Sequence, residues 1–350
     1  MTIEIAGRPI GADHPPFVIA EMSGNHNQSL ERALAIVDAA AQAGAHAIKL
    51  QTYTADTMTL NVRGGNFEIN DPDSLWAGQN LHDLYKKAYT PWEWHGPIMQ
   101  RANELGLICF SSPFDETAVD FLEDLGAPAY KIASFENNHL PLIEKAAATG
   151  KPLIISTGMA TLGELDDAVR TAREAGCTQL VLLKCTSNYP SSPENTNLRT
   201  IPHLRQLFNT EVGLSDHTMG IGVAVAAIAL GASVVEKHFT LARADGGVDS
   251  SFSLEPPELS ALLQETERAW HALGEVCYRP SEDEKKNLIF RRSIYISENI
   301  SKWSTFSRDN LKIVRPGYGL PPNMLKKVLG TLAKRDFSKG EPLTLESLLA

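Results

Sequence analysis

The sequence predicts a (β/α)8 barrel followed by a small β-rich domain. Three observations carry this. Short apolar runs alternate eight times with helix-like stretches over about 260 residues, the arithmetic of a closed parallel barrel. The first run, FVIAEMS at 17–23, leads into GNHN rather than a Gly-rich phosphate turn, which argues against a doubly wound open sheet. Near Arg291 the texture changes to short β runs broken by Gly and Pro.

The eight runs are 17–23, 47–52, 107–112, 129–134, 152–157, 180–185, 211–216 and 234–239. The first helix spans 29–43, with Ser29 as N-cap and Gly44 closing the end. The stretch 161–175 repeats the plan, with Thr161 capping, Glu164 in capping-box position and Gly176 after it. From Thr54 to Thr90 the chain is rich in Gly, Asn and Asp and reads as an active-site loop with little regular structure. An amphipathic helix follows the eighth strand at 256–273. This gives a barrel over residues 1–273, a polar linker over 274–290 and a small β domain over 291–350. So small a domain is near the lower limit for folding alone.

The totals exclude several classes. Among 350 residues, 32 basic and 42 acidic side chains give 32 − 42 = −10. An acidic chain without a basic run is a poor partner for nucleic acid or an anionic membrane. No stretch reads as a signal peptide or a membrane span. Cys109, Cys177, Cys185 and Cys277 have neither zinc-ligand nor disulfide spacing, and Cys109 and Cys185 read as small core residues. A reducing cytoplasm is the expected compartment.

Catalytic groups of a barrel sit at the C-terminal ends of its strands. Here those ends carry Glu21, Lys49, Gln51, Ser112, Lys131, Ser134, Ser156, Ser215, His217, Glu236 and His238. Side chains alternate with period two along a strand. Lys49 therefore shares a face with Gln51, Ser215 with His217, and Glu236 with His238. His217 and His238 end neighbouring strands and can reach one ion. Two neutral imidazoles with open positions suit a divalent first-row metal such as manganese, with magnesium or cobalt as alternatives. Taken singly, each histidine could also be a hydrogen-bonded structural residue. Lys237 has the opposite parity and reads as half of a structural ion pair or as a snorkelling side chain.

Lysines inside a barrel are costly without a partner. A phosphate or carboxylate held by Lys49 and Lys131, with Ser112, Ser134, Ser156 and Ser215 donating, removes that cost. A structural pairing with Glu21 or Glu136 is the other reading, and a Schiff-base lysine a third.

The stretches IAEMSGNHNQSLERA, AIKLQTY, FSSPFD, YKIASFE, STGMAT, LLKCTSNYP, GLSDHT and EKHFT together resemble the sialic acid synthase family, over essentially the whole chain. The tail, with VRPGYGLPP and AKRDFSKGEPL, resembles that family's antifreeze-like (SAF, β-clip) domain. QTYTADTMTL, KKAYTPWEWH, LKCTSNYP and VRPGYGL look closest to its pseudaminic acid synthase branch. The resemblance implies condensation of phosphoenolpyruvate with the open-chain aldehyde of an N-acetylated amino sugar, giving a nine-carbon 2-keto acid and phosphate. For that branch the sugar is a 2,4-diacetamido-2,4,6-trideoxy hexose of L-altrose type; N-acetylneuraminate or legionaminate synthesis is the alternative.

By motif, the resemblance implies that His217 and His238 are metal ligands and Glu21 a catalytic glutamate. It places Lys49, Ser112, Lys131, Ser134, Ser156 and Ser215 at phosphoenolpyruvate. It places Gln51, Glu136, Tyr189 and Asp249 at the sugar. Arg315 matches an arginine that the SAF domain delivers to the neighbouring subunit, so a homodimer is expected. Two departures stand out: Ser187, where sialic-acid-type members often carry Asn, and Ser301–Ser304, where a Lys-Gly turn is common. A carbohydrate- or ice-binding protein without activity is a remote reading, because the tail lacks the spaced Thr of a flat ice-binding face.

Overall fold

The computed structural model describes residues 2–72 and 74–349. The chain divides into two compact units, Met1–Gly274 and Glu275–Ala350. Among the described residues, no helix is long and apolar enough to cross a membrane.

The first unit opens with an antiparallel hairpin, β1 (Ile3–Ile5) and β2 (Arg8–Ile10). Eight parallel strands follow: β3 (Phe17–Glu21), β4 (Ala47–Thr52), β5 (Ile108–Pro113), β6 (Tyr130–Ile132), β7 (Leu153–Ser156), β8 (Leu180–Cys185), β9 (Glu211–Ser215) and β10 (Val234–His238). They close in chain order, β10 pairing with β3. All eight predicted runs are strands of this barrel.

Alternation splits each strand between two cores. Val18, Ala20, Ile48, Leu50, Ile155, Leu182, Val212 and Val235 pack in the buried layer that includes Ile36 and Val37 of the helix Leu30–Ala43. Phe17, Ile19, Ala47, Phe110, Ile154, Val181, Leu183 and Val234 fill the barrel interior, with Ile3, Ile5 and Ile10 of the hairpin in the same cluster. Apolar side chains thus occupy the lower interior. The same parity continued toward the C-terminal ends delivers polar groups.

The helices follow their predicted caps. Ser29 accepts the N–H of Arg32 at 3.2 Å, and Gly44 ends the helix at φ 93°, a conformation that favours glycine. Thr161 and Glu164 form a reciprocal capping box on the helix Leu162–Glu174. The helix Pro256–Leu273 matches its predicted span.

The segment between Thr54 and Thr90 is more ordered than its composition suggests. It holds the short helix Ala55–Met58 and the helix Leu81–Ala88. Asn80 caps the latter and donates to the carbonyls of Val62 (2.9 Å) and Phe67 (3.1 Å). The Ile69 N–H reaches Gln79 O and the Gly78 N–H returns to Ile69 O. One asparagine therefore satisfies groups that the loop would otherwise leave to water.

In the second unit, β11 (Ser293–Ile296) pairs antiparallel with β12 (Leu311–Val314). Ile294, Ile296, Ile300, Phe306, Val328, Phe337 and Leu343 form its own core. Part of the polar stretch 274–290 is helical: Glu282–Lys285 forms one α-turn behind a Ser281 cap, and Lys286–Phe290 continues as a 3-10 turn.

Candidate active site

Cross-strand register decides which strand-end groups meet. Glu21 on β3 is level with Lys49 on β4 and with His238 on β10. Ser215 on β9 is level with Cys185 on β8 and with Glu236 on β10. A ring of polar side chains therefore caps the apolar interior.

Lys49 is buried, with Nζ 2.5 Å from Glu21 Oε2, 3.7 Å from Glu236 Oε1 and 3.1 Å from Ser112 Oγ. Lys131 is buried beside it. Its Nζ donates to Ser156 Oγ at 2.6 Å and to Ile132 O at 3.2 Å, with Glu236 Oε1 at 3.9 Å. Ser215 Oγ donates to the same Glu236 oxygen at 3.3 Å. Glu236 is thus a shared counter-charge of both lysines, beside Glu21, which pairs with Lys49 as the alternative reading allowed; Glu136 forms no ion pair within 4 Å with either.

Burial pushes the pKa of Lys131 down, partly offset by Glu236. Burial also acts on Lys49, but Glu21 and Glu236 outweigh it and the pKa is raised. Glu21 responds chiefly to burial and rises to about 7, although Lys49 opposes this. Its Oε1 accepts from Gln51 at 3.0 Å.

His217 and His238 meet edge to face, 5.3 Å between ring centroids. His217 Nδ1 lies 3.0 Å from Thr186 O, so its N–H donates there; burial opposes the charged ring but Cys185 outweighs it and raises the pKa, and in the neutral ring Nε2 would carry the lone pair. The buried His238 Nδ1 has no hydrogen-bond partner; Asp249 Oδ2 is 3.9 Å away. Burial, then the nearby His217, holds His238 well below the usual histidine range, so its imidazole is neutral near pH 7. An orphaned nitrogen on a neutral ring beside a second, oriented imidazole fits a divalent first-row cation. Among the described residues, no three His, Cys, Asp or Glu side chains gather as a ready metal cluster. Were such an ion bound here, these two rings would be its protein donors.

Cys185 is buried as expected, but its neighbours are polar. Cys109 does face the helical layer, and burial pushes its thiol up to about 12. Cys185 has interior parity at the mouth, with Sγ 3.9 Å from His217 Nδ1 and 3.7 Å from Ser187 Oγ. Burial raises its pKa, but the contact with His217 outweighs that and brings it to about 7.

Above the polar ring opens a cavity of about 710 Å³, lined among others by Gln51, Trp76, Glu136, Tyr189, His238 and Asp249. Tyr189 lies 4.5 Å from His217, ring to ring. Asp249 accepts a short hydrogen bond from Ser23 Oγ, which Gln51 also reaches at 3.2 Å. Glu136 has Oε2 buried without a partner, and burial raises its pKa to about 7. Ser134 is buried at the start of the turn Ser134–Glu136. A Cβ on Gly158 would stand 2.1 Å from Ser187 Oγ and 2.6 Å from Ser134 Oγ, so only glycine lets these hydroxyls close in.

The structure thus assembles Glu21, Lys49, Gln51, Ser112, Lys131, Ser134, Glu136, Ser156, Tyr189, Ser215, His217, His238 and Asp249 at one end of the barrel. Arg315 is an exposed residue of the second unit, directly after β12. Lys237 faces outward as expected, paired with Asp216 Oδ2 at 2.8 Å.

Residues 36–278 match the NeuB family and residues 291–349 match the SAF domain. The chain is 45% identical to the pseudaminic acid synthase of Campylobacter jejuni over 331 residues, covering 95% of this chain and 96% of that protein. It is 41% identical to the pseudaminic acid synthase of Helicobacter pylori, covering 95% and 98%. The crystal structure of an N-acetylneuraminic acid synthetase from Leptospira borgpetersenii, in complex with citrate, superposes with a TM-score of 0.74 at 32% identity, covering 82% of this chain and 95% of that one. With a barrel of this register, a polar ring at its mouth and relatives that match nearly end to end, the chain belongs to the NeuB family.

Proposed function

We propose that the chain joins phosphoenolpyruvate to an open-chain 2,4-diacetamido-2,4,6-trideoxy hexose, giving pseudaminic acid and phosphate. The observation that carries this is the buried pair Lys49 and Lys131, which contact Ser112 and Ser156 and share Glu236 at the strand ends that also carry the two histidines. Likeness to two pseudaminic acid synthases supports the choice of sugar.

In the reaction, C3 of phosphoenolpyruvate bonds to the aldehyde carbon, water adds at C2, and the C2–O bond breaks to release phosphate. Lys49 and Lys131 hold the anionic donor. Glu21 and Glu236 favour the charged form of Lys49, whereas burial pushes Lys131 down with Glu236 opposing it, so an arriving anion would add most to the charge on Lys131. Ser112, Ser134, Ser156 and Ser215 supply hydroxyl donors around it. A divalent ion on His217 and His238 would polarise the sugar aldehyde toward attack.

Glu21 is placed to accept a proton from the water that adds at C2. Its pKa of about 7 suits a group that gains and loses a proton near neutrality. Gln51 orients that carboxylate through its 3.0 Å hydrogen bond. Tyr189, Glu136 and Asp249 line the space for the sugar. Arg315 is assigned to the acetamido group of sugar bound by a neighbouring subunit, which makes a homodimer the working form.

The test is phosphate release from phosphoenolpyruvate, with and without the sugar and a divalent metal. Release that needs both supports the reading. Release that ignores the sugar overturns it.

A further inference from the structure

The segment between β4 and β5 does more than cover the barrel. Ile69, Leu75, Trp76 and Tyr85 from this segment line the cavity, and Val248 from the loop after β10 joins them. This wall stands beside the polar mouth. The Trp76 indole N–H donates to Val248 O at 3.2 Å, and its ring lies 6.0 Å from Tyr189. Tyr189 in turn lies 4.5 Å from His217. Trp76 and His238 thus line one cavity, linked through Tyr189.

The wall is held rather than draped. Asn80 and the paired backbone of Ile69 with Gly78 and Gln79 fix the segment. Gly24 allows the two loops to close: a Cβ there would be 2.4 Å from Val248 Cγ2 and 3.0 Å from Ala88 O. Leu75 is 49% exposed, which spends an apolar side chain on a loop facing the cavity.

We propose that Ile69, Leu75 and Trp76 determine sugar specificity by receiving the methyl groups of the substrate's distal half. This rests on the condensation reading above and adds residues that select the sugar. A 2,4-diacetamido-2,4,6-trideoxy hexose ends in a C6 methyl and carries an acetyl methyl at C4. A 2-acetamido-2-deoxymannose places hydroxyls at both positions. Asp71 and Ser74 of the same segment also line the cavity, but against the side chains of Ile69, Leu75 and Trp76 those hydroxyls would lose water to apolar groups that offer no hydrogen bond. An apolar pocket discriminates between such groups by about 10- to 200-fold.

The experiment measures kcat/KM by phosphate release for the two sugars, in the wild type, Leu75→Gln and Ile69→Asn. The wild type should favour the trideoxy sugar. Each variant should narrow that ratio at least about tenfold, mainly through loss on the trideoxy sugar. Thermal unfolding of each variant is recorded, and the exposed Leu75→Gln decides the matter if Ile69→Asn does not fold. A wild-type preference for the trideoxy sugar that both folded variants keep within about twofold overturns the assignment of the wall. A wild type that prefers the 2-acetamido sugar, or uses neither, overturns the sugar reading itself.

Discussion

Lys49 and Glu21 form a buried ion pair, 2.5 Å apart, on adjacent strands at the mouth of the barrel. It ties the group that would bind an anion to the group that would accept a proton. Binding a negatively charged donor at Lys49 weakens the hold of that lysine on Glu21. Donor binding and proton affinity are thereby coupled.

The first prediction follows from the raised pKa of Glu21. Below about 7 its carboxyl is protonated and cannot take a proton from water; above it the carboxylate can. The kcat/KM for phosphate release should rise with pH through a midpoint near 7, the value of the free enzyme. Glu21→Gln should lower the rate by on the order of 100- to 10,000-fold and remove that rise. A pH–rate profile of both proteins checks it, and an unchanged limb in the variant counts against Glu21 as the base.

The second concerns Glu136, whose folded-state pKa is about 7 against an ordinary 4.5. Between these values the folded state binds the proton that the unfolded chain releases. This group therefore favours folding fully below about 4.5, and its contribution fades as pH rises through 7. Glu136→Gln removes that loss. Thermal unfolding should show the variant gaining on the wild type between pH 4.5 and pH 8; a parallel pair of curves contradicts it.

The third concerns Glu236. Glu236→Gln leaves Lys49 paired with Glu21 alone and takes from Lys131 its ion-pair partner, leaving it only the more distant carboxylates of Glu21 and Glu136. Breaking a buried charge pair costs about 3–5 kcal/mol. The variant should unfold at lower denaturant, and its KM for phosphoenolpyruvate should rise as Lys131 loses its proton more readily. Denaturant titration and initial rates measure both. Full stability in the variant would show that water already screens the lysines.

How far the sequence foresaw this site depends on the kind of fact. Parity along one strand is local, so the shared faces of Lys49 with Gln51 and of Glu236 with His238 were readable. The same logic sent Lys237 outward to Asp216. Register between strands is set by barrel closure and is not local. That is why Glu236 as the common partner of two lysines escaped notice, although its position beside His238 was seen. The polar surroundings of the buried Cys185 were not legible, because in the run Leu180–Cys185 a terminal cysteine looks the same whether its side chain faces helices or the mouth. Its level with Ser215 decides. The segment after β4 looked irregular because its order comes from the side chain of Asn80, which leaves no periodic trace.

The fourth prediction concerns the metal. His217→Ala and His238→Ala should each lower turnover by on the order of 1,000-fold and abolish binding of manganese by titration calorimetry. Both should fold, because neither ring belongs to the apolar cores. Undiminished manganese binding in the double variant would place the ion elsewhere.

The most direct test of the account follows carbon-13 from phosphoenolpyruvate labelled at C3, incubated with the trideoxy sugar and manganese. The account predicts that the label appears at C3 of a nine-carbon 2-keto acid, with one phosphate released per product, and that a chelator stops both. Label remaining in pyruvate or in the donor, or product forming at full rate in the chelator, would contradict it.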